Sequence, residues 1–344
     1  MKRFKLILLL CSFLLSLGLT FLKVPLASSQ GTTIVAAYIT EPLPVQEPDS
    51  AAWQKATSIE VPLSAQTVTA PMIRETKIKS VTVRALHNGQ QLALLVEWAD
   101  DTTNAQAIRI QDFPDAVAVQ FPLAGGQPFF CMGMQGTNVN IWHWKADWQA
   151  DLLAWHDMQD VYPNMSVDVY PFAQGEHPNP QDYQETTYLS GAAAENPFSL
   201  PRLSPVEDLV AGGFGSLTSQ PPTGQNVQGF GVYSAGKWRV IFSRDLTSSE
   251  TDDVNFVINN VYSVAFAAWD GANGERNGQK STSQWVSLQF ETAPATAQLQ
   301  PAEEEGKYLI RGLTAQTIFL MYLSLLFVLI VIAVIIYFRL PKEG

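Results

Sequence analysis

Residues 128–147, PFFCMGMQGTNVNIWHWKAD, place two methionines, two glycines and two tryptophans within twenty positions. Methionine sulfur is a soft donor to iron, and broad aromatic rings make the walls that a flat porphyrin packs against. The same composition also fits a plain buried strand in which methionine fills an irregular core. Met132 and Met134 stand two apart, which in a strand turns both sulfurs to one face and Cys131 and Gly133 to the other. Either sulfur could then reach an iron atom, with Gly133 letting the ring approach the backbone closely. Trp142 and Trp144 could line such a ring or simply fill a core, and His143 between them must face the opposite way.

Such residues need a frame, and the pattern between the chain ends is strand-like. Alternating or continuous apolar runs at residues 78–86, 92–98, 115–121, 237–244 and 285–290 predict short strands. Turn pairs of the Asn-Gly and Asp-Gly kind separate them, and His87-Asn88-Gly89-Gln90 predicts a hairpin tip with His87 at the surface. The expected fold is all-β, an antiparallel β-sandwich with long loops. Residues 160–228 hold many prolines and little periodicity, so a long irregular insert is expected there.

The two ends read differently. Lys2, Arg3 and Lys5 precede an apolar run at 6–22, and Ala27-Ser28-Ser29 follows, which is the order of a secretory signal cleaved near residue 29. Residues 318–338 carry no charge, and as a helix they would span about 32 Å, enough to cross a bilayer. Arg339 and Lys342 lie beyond that run and three glutamates before it, so the positive-inside bias puts the tail in the cytoplasm. The expected organisation is a signal peptide at 1–29, an extracytoplasmic (periplasmic) domain at 30–292, a linker at 293–313, a membrane helix at 314–338 and a cytoplasmic tail at 339–344. Loss of residues 1–29 removes four basic residues and no acid, taking the net charge from −11 to −15. So acidic a surface disfavours nucleic acid as a partner.

Cys11 falls in the leader, which leaves Cys131 alone and excludes an intrachain disulfide or an iron–sulfur cluster. Cys-x-x-Cys-His is absent, so any haem is expected to be held noncovalently. Walker, Gly-x-Ser-x-Gly and His-x-x-x-His patterns are also missing, and no catalytic residues are expected.

A set of ordered stretches carries a family resemblance. They are EPDSAAW at 47–53, VEWADDT at 96–102, DAVAVQFP at 115–122, and Met132-Gly133 with NIWHWKAD at 140–147. PVEDLVA at 205–211, GFGSLT at 213–218, GKWRVIFSR at 236–244, AWDG at 268–271, ERNGQKS at 275–281 and Trp285 continue the series. Together, over roughly residues 38–292, the chain resembles the haem-binding gamma subunits of the type II DMSO-reductase-like molybdoenzymes, the ethylbenzene dehydrogenase-related domain. The resemblance implies a β-sandwich holding one haem b between axial methionine and lysine ligands. It also implies an electron-transfer subunit, with no substrate chemistry of its own, beside iron–sulfur and molybdopterin subunits or a cytochrome or quinone partner. The membrane helix departs from that family, whose members are generally soluble, as does Cys131, where another apolar residue is expected.

Carried onto this sequence, the motif favours Met132 over Met134 as the first ligand. The second is expected from the glycine-rich loop before Trp285, where Lys280 matches the family's lysine. To bind iron, that amine must be neutral, which burial favours. Lys237 looks like a hairpin-tip residue in water, and Lys145 like a charge partner at a rim. His143 remains the runner-up ligand; His87 and His177 read as surface residues. The rival reading is a carbohydrate-binding or DOMON-like surface module without redox activity, in which exposed tryptophans stack on sugars.

Overall fold

A computed structural model describes residues 32–123, 132–165, 196 and 202–294. The signal peptide, membrane helix and tail, nearly all of the linker, and Cys131 and His177 lie outside the described residues. Among the described residues, no helix is long and apolar enough to cross a membrane.

Fourteen strands dominate. They are β1 (Thr33–Tyr38), β2 (Ile59–Pro62), β3 (Ser64–Ala65), β4 (Ser80–His87), β5 (Gln91–Ala99), β6 (Ala116–Pro122) and β7 (Val139–Lys145). After a helix at Ala146–Leu153 and a single turn at Met158–Val161 come β8 (Val206–Ala211), β9 (Thr218–Ser219), β10 (Gln228–Ser234), β11 (Lys237–Asp245), β12 (Val261–Trp269), β13 (Ser281–Thr282) and β14 (Val286–Phe290).

Two layers follow from the pairing. One runs β10-β11-β5-β4-β1-β14, and the other runs β6-β7-β8-β9. The strand β12 belongs to both: Val261–Val264 pair with β14, and Ala265–Trp269 pair with β6. The layers face each other across a core that includes Val83, Leu94, Val96 and Phe242 from the first and Val119, Phe121, Trp142 and Trp144 from the second. This is the expected all-β sandwich, with one departure from antiparallel pairing. The strand β1 runs parallel to both β4 and β14.

Each layer is also covered on its outer face, which explains why β5 and β6 are apolar almost throughout. Outside the first layer, Trp53 and Leu43 pack on Ala37, Leu86, Leu95 and Ile241. Outside the second, Ala116, Ala118, Ile141, Leu209 and Trp269 form a separate apolar face, joined by Met132 and Trp285.

Two expectations are corrected here. His87 is fully buried, not at the surface: its ring packs between Tyr38 and Phe290, and Nε2 lies 2.8 Å from the Glu291 carbonyl oxygen. The hairpin tip itself forms as expected, with Asn88 Oδ1 accepting from the backbone of Gln90 and Gln91 and Gly89 at φ +89°. The proline-rich stretch 160–228 is not wholly irregular either, since Val206–Ala211 form a buried strand beside β7.

Candidate functional site

The strand β7 decides which residues meet where. Its alternate positions Asn140, Trp142 and Trp144 turn inward, and both indoles are fully buried in the sandwich core. Trp142 Nε1 donates to Asn140 Oδ1 at 3.1 Å, and Trp144 packs edge-on against Trp98 and Trp238. Ile141 and His143 therefore point outward, onto the second apolar face. Of the two readings open for Trp142 and Trp144, core filling is the one the strand gives, and His143 faces outward instead.

Over that outer face opens a cavity of about 610 Å³, within the range of small-molecule and cofactor sites. Its floor includes Ala118, Ile141, His143 and Leu209; Phe266 and Trp269 come from β12, while Phe214 and Leu217 come from the loop after β8. The loop between β12 and β13 closes one side with Arg276–Lys280, and residues 69–71 close another.

Met132 reaches this space from a tight turn. Met134 and Thr137 exchange backbone hydrogen bonds at 3.1 and 2.8 Å, and Gly213 N donates to the Met132 carbonyl at 2.8 Å. Gly133 sits at φ +71°, and a Cβ there would lie 2.7 Å from the Ala211 carbonyl oxygen. Its lack of a side chain thus admits neighbouring backbone, not a cofactor ring, and Gly133 does not line the cavity. The turn also separates the two methionines that a strand would have put on one face. Met132 packs on the outer apolar cluster, whereas Met134 is 45% exposed.

Lys280 arrives from the far side of the sequence. Asp270 caps the short turn Gly271–Asn273, Gly274 reverses the chain at φ +69°, and Arg276 and Gln279 bond each other's backbones. Trp269 Nε1 holds the Asn277 carbonyl at 3.1 Å, and Gln66 N holds the Lys280 carbonyl at 2.9 Å. So fixed, Lys280 is 8% exposed, its Nζ 4.9 Å from the centre of the Trp269 ring and 3.5 Å from Met132 Sδ. Two donors 148 residues apart in sequence thus meet inside one apolar pocket.

The remaining candidates have other places. Lys237 is exposed at the start of β11, as expected. Lys145 is a charge partner as expected, but a largely buried one: it pairs with buried Glu207 and lies 4.1 Å from the Trp148 ring. His143 stacks on Trp269 with ring centres 4.7 Å apart, and its Nε2 has no hydrogen-bond partner. Burial, then the positive charges of Lys145 and Lys280, hold His143 well below the usual histidine range, so it is neutral at pH 7.

The donor set fits a haem. A thioether sulfur and a buried amine converge in a cavity whose floor is largely apolar, and Arg276 stands on its lining. Sequence reasoning missed most of that lining. Trp269, Arg276, Ala118, Ile141 and Leu209 stood in recognised stretches without a role, Gln66 stood outside them, and only the tertiary fold brings them together.

The chain is similar to several known proteins. Residues 50–281 match the family model described as ethylbenzene dehydrogenase. A Haloferax mediterranei protein named as a candidate respiratory nitrate reductase haem subunit is 26% identical over 281 residues, covering 79% of this chain and 81% of its own. The chlorate reductase subunit gamma of Ideonella dechloratans is 25% identical, covering 77% and 90%. The dimethylsulfide dehydrogenase subunit gamma of Rhodovulum sulfidophilum is 37% identical over a shorter part, 34% of this chain and 45% of its own. Among solved structures, a family 9 carbohydrate-binding module from Caldicellulosiruptor kristjanssonii matches at 7% identity and a TM-score of 0.38, over 79% of this chain and all of its own. No ligand or activity carries over from a likeness that faint.

Proposed function

The chain belongs to the ethylbenzene dehydrogenase family, and we propose from that premise that it is the electron-transfer haem subunit of a multi-subunit molybdoenzyme complex, not its catalytic subunit. The carrying observation is the meeting of Met132 Sδ and Lys280 Nζ at 3.5 Å within the cavity. The naming of its relatives as haem or gamma subunits of reductases and a dehydrogenase supports the same reading.

The cofactor in this reading is a noncovalent haem b, whose iron Met132 and Lys280 would hold. When bound, the haem supplies a one-electron couple. The chain's own residues do the rest. Met132 offers a thioether, which favours a raised potential. Lys280 offers an amine kept from water by Trp269 and the 276–279 turn. Ala118, Ile141 and Leu209 would exclude solvent from the ring, and Arg276 would be placed to meet a carboxylate side arm.

The proposal extends to place and partners. A signal at 1–29 and a helix at 314–338 would tether the sandwich to the extracytoplasmic face of a membrane. There it would exchange electrons with an iron–sulfur subunit beside the molybdopterin subunit, or with a cytochrome or quinone. The rival carbohydrate-binding reading loses its platform among the described residues. Seven of the nine tryptophans are buried, and Trp155 alone is strongly exposed.

Haem content and a reductive titration test the proposal together. The full-length protein purified in detergent should carry one haem per chain and titrate reversibly with one electron. A colourless protein that takes up no added haem would overturn the reading.

A further inference from the structure

Three aspartates each stand one residue beyond a strand end: Asp100 after β5, Asp115 before β6 and Asp270 after β12. Both layers of the sandwich therefore contribute. One carboxylate oxygen from each lies within 4.8 Å of those of the other two. Oxygens around a single calcium ion sit 2.3–2.6 Å from it, so two of them are at most about 5 Å apart. The three oxygens are already spaced to share one ion of that size.

All three residues are buried, at 7%, 0% and 7% exposure, and Glu275 at 1% lies beside them, accepting from Asp270 N. The donors that reach the three aspartates are neutral. Asp115 accepts from the backbone of Asn104 and Gly271 and from the Trp238 indole, and Asp270 accepts from Asn273 N. Among the described residues, no lysine, arginine or histidine pairs with any of the three. Buried like charges this close must be relieved by a cation or by protons.

A separate observation points to a ligand. Asp100 spends only Oδ1 on the protein, accepting from Thr102 N and Oγ1, while its buried Oδ2 has no hydrogen-bond partner. Its neighbours are the Trp98 indole, whose own N–H is likewise unpartnered, and the charge of Asp270. An ionised oxygen left bare at this depth is costly unless something unrecorded among the side chains meets it.

We propose that Asp100, Asp115 and Asp270 bind a hard divalent cation of the calcium class, which ties three strand ends of the two layers to the root of the loop carrying Lys280. The link to that loop is direct, because Asp270 caps its first turn and Asp115 holds Gly271 N at 2.9 Å. All-oxygen, carboxylate-rich ligation favours a hard cation such as calcium or magnesium over softer metals. The site stands apart from the cavity, so it is tested independently of the haem reading.

The test uses the full-length protein in detergent, stripped with chelator and titrated with calcium chloride alone. One equivalent should bind, and Tm should rise with the logarithm of free calcium. Terbium should show emission sensitised through Trp238, whose indole touches Asp115, and calcium should quench it. Asp100→Asn keeps the shape and removes the charge, and it should weaken calcium binding at least tenfold, whereas Glu60→Gln on the surface should not. Calcium that produces neither heat nor a Tm shift in the unaltered protein would overturn the proposal, leaving protons as the relief. Unchanged affinity in Asp100→Asn would overturn it equally.

Discussion

An amine can donate to iron only without its proton, so position 280 tolerates few replacements. Lys280→Arg keeps the length, but a guanidinium stays protonated in proteins and has no lone pair to give. That variant should lose low-spin ligation as fully as Lys280→Ala, which the visible spectrum at neutral pH reports. The two methionines should differ in the same assay. Met134 is 45% exposed and outside the cavity lining, so Met134→Ala should leave the spectrum unchanged, whereas Met132→Ala should not. Gly133 makes a structural prediction. With φ at +71° and the Ala211 carbonyl oxygen 2.7 Å from a new Cβ, Gly133→Ala should cost about 2 kcal/mol or more, visible as a lower urea midpoint. Met132 and Lys280 were legible as a pair only through the family's motif order. Nothing in spacing alone says that residues 148 apart should touch.

Elements were easier to read than their surroundings. The strands expected at 78–86, 92–98, 115–121, 237–244 and 285–290 lie within two residues of β4, β5, β6, β11 and β14, because alternation and turn residues are local signals. Alternation also put His143 opposite Trp142 and Trp144. It could not say which side was the core, since both faces of the second layer are apolar. The parallel pairing of β1 and the change of layer within β12 leave no local trace at all. His87 was misread for a related reason: the turn at 88–89 is a surface signal, but β14 passes over the residue before it. With Nε2–H donating to the Glu291 carbonyl, protonation would place a second N–H at Nδ1, which is buried without a partner. Burial therefore lowers the His87 pKa. A histidine with a lowered folded pKa contributes stability that is complete above the unfolded value of about 6.5 and is lost as pH falls below it. The fall in stability between pH 7 and pH 5 should be shallower in His87→Phe than in the unaltered protein, as urea unfolding would show.

The described domain combines a sandwich whose inner core is closed by aromatic rings with a cavity, the proposed haem site, on the outer face of one layer. That separation has a consequence. Losing the haem should not unfold the domain, because the cavity residues, Phe266 apart, are not those that join the layers. An apo protein should therefore keep its far-ultraviolet spectrum and most of its cooperative unfolding. The proposed tether makes a prediction of its own. Protease added to intact spheroplasts should cut within residues 293–313 and release a soluble, coloured domain, and protection of that linker would contradict the extracytoplasmic placement.

Ligation by Met132 and Lys280 is the claim on which the functional reading turns, and the absorption spectrum of the haem-loaded protein tests it most directly. Full-length protein should show a six-coordinate low-spin spectrum, with a sharp Soret band when oxidised and resolved α and β bands when reduced. Met132→Ala and Lys280→Ala should each shift it to a high-spin or water-ligated form or lose the haem, while both remain folded. A low-spin spectrum unchanged in either variant would remove that residue from the iron and contradict the site described here.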